Sequence, residues 1–280
     1  MNENRYDLHC HSVYSDGTKT VTELFEIATS LKLAGISITD HDTIKAYDEA
    51  IGKVQDYPLK LLPGIEISSA LNGLSVHVLA YGFSPNDPLL NRFIENLQKE
   101  RWARNLKIIA KLKEANMPLD LNKLKEDIGV IGRPHIASAM LKLGYVKSIR
   151  EAFNEYIGEG QKCFVPGFRP EVPEVLEFLH KVRAFGIIAH PHLIKNNRLV
   201  KELLSQPFDG LEAYYAHFPS KDEKKWVRLA DNRDWIKTGG SDFHGEIKPY
   251  ISLGGSWVRE DTFQLLYQRY LENERLQAIK

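Results

Sequence analysis

Cysteine is scarce in this chain, with Cys10 and Cys163 the only two in 280 residues. Two thiols are too few for the disulfide framework on which small secreted folds rely. Net charge is missing too: 37 Lys and Arg balance 37 Asp and Glu, so no global field draws the chain to nucleic acid or membrane. A local positive patch stays open. No apolar run approaches the ~18 residues of a membrane span. The opening MNENRYD lacks the charged and apolar regions of a signal peptide. There is no internal repeat and no low-complexity segment. A cytoplasmic protein without a membrane partner is the simplest expectation, built as one large α/β domain or one with a smaller insert.

What the chain does contain is a regular alternation of strand and helix signals. Tyr6–His11 reads as a buried strand, and Thr20-Val-Thr-Glu23 as a capping box opening a helix that stops at Gly35. Strands are expected at Gly35–His41, Leu59–Ser68 and Ser75–Tyr81, the last two joined by an Asn72-Gly73 turn, with a helix over Ile44–Val54. A long helical pattern follows Pro88 to about Ala115, and short helices continue to about Gly160. Strand signals return at Gly186–His192, Asp209–Tyr215 and Trp235–His244, and a last helix starts near Asp261. Seven strands, mostly alternating with helices, predict a parallel α/β fold, a barrel among the options, with a helical insertion in its middle third.

The polar residues in these strands are the unusual feature. His9 and His11 flank Cys10, and alternation puts the two histidines on one face and the thiol on the other, so Cys10 reads as core. By themselves the two histidines fit either a metal role or half-buried rings bonded to backbone. His41 ends TDH, Glu66 lies in PGIEIS, His77 in SVHVLAYG, His190 ends AHP, and Asp242 and His244 close SDFH. With Asp16, five residues after His11, these make nine nitrogen and oxygen donors in or beside apolar strands. Isolated buried charges are costly, whereas a shared cation compensates them. Zinc commonly takes about four ligands, so nine donors imply two or three ions. Imidazole and carboxylate without thiolate suit Zn²⁺, Mn²⁺ or Fe²⁺ better than Ca²⁺.

The motifs DLHCHSVYSDGT, ITDHDT, PGIEIS, the His77 strand, AHP and GSDFH, spread from residue 7 to residue 244, resemble those of the polymerase-and-histidinol-phosphatase (PHP) family of metal phosphoesterases. The resemblance implies a distorted (βα)7 barrel formed by residues 1–98 and 166–280, with a helical, substrate-capping insertion over 99–165. It implies hydrolysis of phosphate esters by a metal-activated hydroxide. One ion would be held by His9, His11, Glu66 and Asp242; a second would share Glu66 and add His77 and His190; a third would use Asp16, His41 and His244. Mn²⁺ is the first choice, with Zn²⁺ or Fe²⁺ as alternatives. GRPHIASAML (Gly132–Leu141) and EYIGEGQKCFVP (Glu155–Pro166) resemble the insert of one branch. That branch includes nucleoside 3′,5′-bisphosphate phosphatases and the 5′→3′ exoribonuclease RNase AM. The implied substrate is a small phosphorylated nucleotide or short RNA, with no obligate protein partner expected.

Within the insert, Arg133 and His135 flank Pro134 at a helix start, where guanidinium and helix terminus favour a phosphate. They are the expected catalytic residues, both neutralising the non-bridging phosphate oxygens, with His135 or a metal-bound water supplying the leaving oxygen's proton. The bland alternative is a surface arginine and a capping histidine. Asp40 and Asp42 either orient His41 or, for Asp42, cap a helix. His192 is an alternative ligand, while His180 and His217 read as surface residues. Branch members often carry a small residue and Arg after AHP; this chain has His192 and Leu193 instead, and Lys195 or Arg198 are the possible substitutes for the lost cation. The basic run Lys99–Lys113 reads as a solvated helix face with Trp102 packed inward, or as a wall for a polyanion. Histidinol-phosphate hydrolysis, a metal-dependent amidohydrolase, a polymerase-linked proofreading module and a non-catalytic metal-stabilised binding module are the rival readings. The GRPHIA insert, the SDFH motif and the full donor set stand against them.

Overall fold

The computed structural model describes residues 4–126, 129–218 and 220–279. The first three residues of the opening stretch read for a leader, and two residues of the helical insertion, lie outside them. Among the described residues, eight strands form two sheets. β1 (Tyr6–Cys10), β2 (Gly35–Ile38) and β3 (Lys60–Leu61) pair in parallel; β4 (Gly64–Leu71), β5 (Leu74–Tyr81), β6 (Phe185–Ile188), β7 (Gly210–Tyr215) and β8 (Ile236–Gly240) make a mixed sheet in sequence order. Two single bridges join the sheets, Cys10 to Phe243 and His41 to Glu66. This is a mixed α/β fold in which no continuous strand ladder closes into a barrel.

Two departures from the sequence expectations have local causes. The expected Leu59–Ser68 strand is split into β3 and β4 at Leu62-Pro63, because Pro63 has no N–H to donate to a ladder. The sheet is also not wholly parallel: Asn72 and Gly73 both take positive φ, 52° and 75°, in a two-residue turn between the paired residues Leu71 and Leu74. That tight turn makes β5 antiparallel to β4, and β5 then pairs antiparallel with β6. The capping box at Thr20 forms: Thr20 Oγ1 accepts from the Glu23 N–H at 3.2 Å, and the Glu23 carboxylate accepts from the Thr20 N–H at 2.8 Å.

The main core packs helices such as Val21–Ser30 and Val172–Lys181 against the outer faces of the strands through Leu24, Phe25, Ile36, Ile67, Val175 and Leu179. A smaller core closes the end of the strands remote from the site, where Tyr6 stacks on Phe263 of the helix Glu260–Ala278 with ring centroids 4.0 Å apart. A third core holds the middle of the chain together, with Ile108 and Leu112 of the helix Pro88–Glu114 against Ile136, Met140, Ile157 and Cys163. Trp102 packs against this third core, so its ring does turn inward. Cys10 is core as well, its Sγ 3.3 Å from the Ser37 carbonyl. Among the described residues no helix is long and apolar enough to cross a membrane.

Candidate metal centre

Six imidazoles and three carboxylates converge where β1, β2, β6 and β8 end. Glu66 and His77 are exceptions to the strand-end pattern, since both lie inside strands. They reach the same place because β5 is antiparallel: His77 sits near its start, beside the end of β6, where the Ala189 N–H donates to the His77 carbonyl at 3.2 Å. Backbone turns aim the rest. His190 and Asp242 take positive φ of 28° and 56°, conformations that ordinary residues adopt only when their surroundings hold them there. The Asp242 N–H donates to the His9 carbonyl at 2.7 Å, and the His190 N–H to Glu212 Oε2 at 2.7 Å.

Glu66 is the hub. Its Oε1 lies 2.7 Å from His77 Nδ1 and 2.8 Å from His190 Nε2. Its Oε2 lies 3.3 Å from His9 Nε2, 3.2 Å from His11 Nε2 and 3.3 Å from His41 Nδ1. Asp242 Oδ1 is 3.5 Å from His9 Nε2 and 3.3 Å from His11 Nε2. Asp16 lies 3.3 Å from His244 Nε2 and 3.8 Å from His41 Nε2. Three groups have donor atoms within 4.8 Å of one another: His9, His11, Glu66 and Asp242; His11, Asp16, His41 and His244; and His41, Glu66 and His77. His190 touches Glu66 but falls outside these three, and His41 and His11 each belong to two.

The donors fit a cation. His11 Nε2 and His41 Nδ1 are buried without any hydrogen-bond partner although carboxylate oxygens stand 3.2–3.3 Å away, the arrangement left when both atoms face a common third body. Burial opposes ionisation of Glu66, Asp16 and Asp242, but the neighbouring histidines, joined at Asp242 by Lys248, outweigh it and hold all three well below the usual carboxylate range. Burial is the largest influence on His41 and pushes it down to about 3, against the pull of the Glu66 and Asp16 carboxylates beside it.

A supporting shell escaped the sequence reading. Buried Glu212, on β7, accepts from His9 Nδ1 at 2.8 Å, leaving His9 Nε2 free to face Glu66 and Asp242. His244 Nδ1 donates to the Asp242 carbonyl at 2.8 Å. The outer oxygen of Asp242 accepts from the Tyr215 hydroxyl and Lys248 Nζ, both at 2.6 Å. Asp7 binds β1 to β8 by accepting from the Ser241 N–H at 2.9 Å.

Neither neighbour of His41 orients it or caps a helix. Asp40 accepts from the Ser12 and Ser15 hydroxyls at 2.5 and 2.6 Å. Asp42 accepts from the Ser68 N–H at 2.7 Å and from the Arg101 guanidinium, which ties the long helix to β4. His192 packs on Tyr215 and Phe218, with ring centroids 4.2 Å from each, and joins none of the donor groups. His180 and His217 are exposed.

Beside the donors lies a cavity of about 190 Å³ whose walls include Asp16, His41 and His77 together with Arg101, Arg104, Arg133 and Arg169. The Arg133 guanidinium lies 5.9 and 5.6 Å from the ring centroids of Phe153 and Phe164. Among the described residues no carboxylate pairs with Arg104, Arg133 or Arg169, and burial, followed by the other three guanidiniums, pushes Arg104 down to about 9. Such crowding of like charge is relieved by an anion. His135 takes the capping part: its Nδ1 accepts from the Gly132 N–H at 2.9 Å, which places the ring proton of the neutral imidazole on Nε2.

The PHP domain model matches residues 7–272. The chain belongs to the PHP domain family. A 5′–3′ exoribonuclease of Haemophilus influenzae is 30% identical over 249 residues, 86% of this chain and 90% of that protein. A 3′,5′-nucleoside bisphosphate phosphatase of Chromobacterium violaceum is 26% identical over 246 residues, 85% of this chain and 86% of the relative. A solved structure from Bifidobacterium adolescentis, assigned as a metal-dependent phosphoesterase, superposes with a TM-score of 0.84 at 29% identity, covering 94% of this chain and 96% of its own. This PHP chain is a metal-dependent phosphoester hydrolase, and the readings as a histidinol-phosphate phosphatase or a non-catalytic module are not favoured.

Proposed function

We propose that this PHP chain hydrolyses nucleotide phosphate esters, taking a nucleoside 3′,5′-bisphosphate or the 5′ end of a short RNA. One divalent ion would be held by His9, His11, Glu66 and Asp242, a second by Glu66, His77 and His190, and a third by Asp16, His41 and His244. Mn²⁺ is the first choice and Zn²⁺ or Fe²⁺ the alternatives. The PHP part, residues 1–98 and 166–280, corresponds to a barrel opened between its two sheets, and residues 99–165 act as the capping insertion. When bound, such ions polarise a phosphoryl oxygen and bring the pKa of water to about 7.

The chain's own residues do the rest. Glu66 would serve two ions, because its two oxygens face different imidazoles. Glu212 and the Asp242 carbonyl fix the rings of His9 and His244 so that each presents Nε2 inward. Tyr215 and Lys248 hold the outer oxygen of Asp242, which leaves its inner oxygen toward His9 and His11. Arg133, with Arg101, Arg104 and Arg169, grips a phosphate other than the one being cleaved, and His135 fixes the helix start that carries Arg133.

The observation that carries this reading is the arginine-lined cavity opening directly onto Asp16, His41 and His77. Arg101 is already matched by Asp42, but a substrate with one phosphate leaves Arg104, Arg133 and Arg169 without an anion; one with two fills both places. Direct competition among adenosine 3′,5′-bisphosphate, short 5′-phosphorylated RNA and histidinol phosphate, with Mn²⁺ present, tests it. One of the first two should show the highest kcat/KM, releasing inorganic phosphate and a nucleoside monophosphate from the bisphosphate, or mononucleotides from the RNA. A highest value for histidinol phosphate overturns the reading.

A further inference from the structure

A second cavity, of about 430 Å³, meets the donor cluster from another direction. It shares Ser75 and His77 with the arginine-lined cavity and no other lining residue, and it also touches His190. Its character is different. Leu74, Val76, Leu193, Ile194 and Leu199 form an aliphatic wall, Glu159, Lys195 and Asn196 add polar groups, and no arginine lines it. Leu193 and Leu74 stand 54% and 40% exposed there, an apolar rim beside a highly charged site.

The local backbone builds this wall. The positive φ of His190 turns the chain off β6 into the short 3-10 turn Pro191–Leu193, with the Leu193 N–H donating to the His190 carbonyl at 3.0 Å. Leu193 thus stands three residues after a donor to the centre. Its position is where the sequence departs from the arginine expected after AHP. Of the two possible replacement cations, Arg198 turns away to Glu202 at 2.9 Å, and Lys195 lines the cavity together with Glu159 and Asn196. This side of the centre therefore combines an aliphatic wall with a few polar groups, a lining suited to a nucleoside rather than to a second phosphate.

Resting on the proposed function, we infer that this cavity receives the nucleoside of the second nucleotide of an RNA substrate. With the 5′-phosphate among the arginines and the next phosphate at the donors, a 3′,5′-bisphosphate ends at the centre and leaves the second cavity empty. An RNA continues past the centre into it. Its volume is within the roughly 300–1,000 Å³ usual for small-molecule sites. The step balances as a hydrolysis: the bond from phosphorus to the first nucleoside's 3′ oxygen breaks, water oxygen forms the new bond to phosphorus, and the departing 3′ oxygen takes a proton. The products are one 5′-mononucleotide and a remaining chain that keeps a 5′-phosphate, ready for the next cycle. The aliphatic wall, with Leu193 at its exposed edge, offers a face for the base to pack on.

The test compares Leu193→Asp and Leu193→Ala with the unaltered Mn²⁺-loaded protein on two substrates, adenosine 3′,5′-bisphosphate and the 5′-phosphorylated dinucleotide of adenosine. Leu193→Asp should lower kcat/KM on the dinucleotide at least tenfold, Leu193→Ala by a smaller factor in the same direction, and neither should change the bisphosphate value more than twofold. Equal losses on both substrates, or no loss on either, overturn the assignment of the cavity. If the unaltered protein turns over neither substrate, the proposed function itself fails, a result distinct from failure of the cavity assignment alone.

Discussion

Glu66→Gln is expected to lower kcat/KM by on the order of 10³-fold, or about 4 kcal/mol at 1.36 kcal/mol per decade. The two oxygens of Glu66 together face five imidazoles: Oε1 toward His77 and His190, Oε2 toward His9, His11 and His41. The amide keeps the shape but removes the negative charge, and its NH₂ points hydrogens where a cation or a neutral ring nitrogen needs a lone pair. The variant should therefore bind fewer ions than the unaltered protein, as well as turn over more slowly. Circular dichroism separates this from misfolding, since Glu66 lies on a strand whose ladder bonds are backbone bonds. Full activity with full metal content would show that Glu66 does not bridge.

Arg133→Ala is expected to cost roughly 2–4 kcal/mol in kcat/KM, the range for a lost charged contact to a buried anion. The guanidinium lies within cation–π reach of Phe153 and Phe164, which favours its position before an anion arrives. It lies in the insertion, apart from the donor cluster, and metal content should stay unchanged. The loss should be the same on the bisphosphate and on RNA, because both place a phosphate among the arginines. Activity that falls only in step with lost metal would make Arg133 structural.

Much of the site was legible because its logic is local. A carboxylate or imidazole inside an apolar strand is expensive alone, and nine such residues at strand ends or within strands pointed to one shared charge. The same reasoning applied to DGLEAYY would have found Glu212, a lone carboxylate between the buried Leu211 and Ala213. Lys248, Tyr215 and the arginines were harder. Arg101 and Arg104 sat in a basic run that reads as a solvated helix face, and Arg169 lies 65 positions after Arg104 in the chain. Only the packing of the insertion brings them into one cavity. The strands themselves were legible from apolar runs and turn residues, down to the Asn72-Gly73 turn. Their division into two sheets was not, since short buried strands carry no mark of their neighbour's direction. Asp40 and Asp42 show the limit at the level of single residues: adjacent to His41 in sequence, both spend their oxygens elsewhere.

The most direct measurement is the number of divalent ions bound per folded chain after reconstitution with Mn²⁺ and removal of free metal. Nine donors centred on Glu66 predict two or more ions per chain, together with phosphoester hydrolysis that a chelator abolishes and Mn²⁺ restores. A folded protein that repeatedly binds none under these conditions, or whose hydrolysis is indifferent to the chelator, would contradict the account.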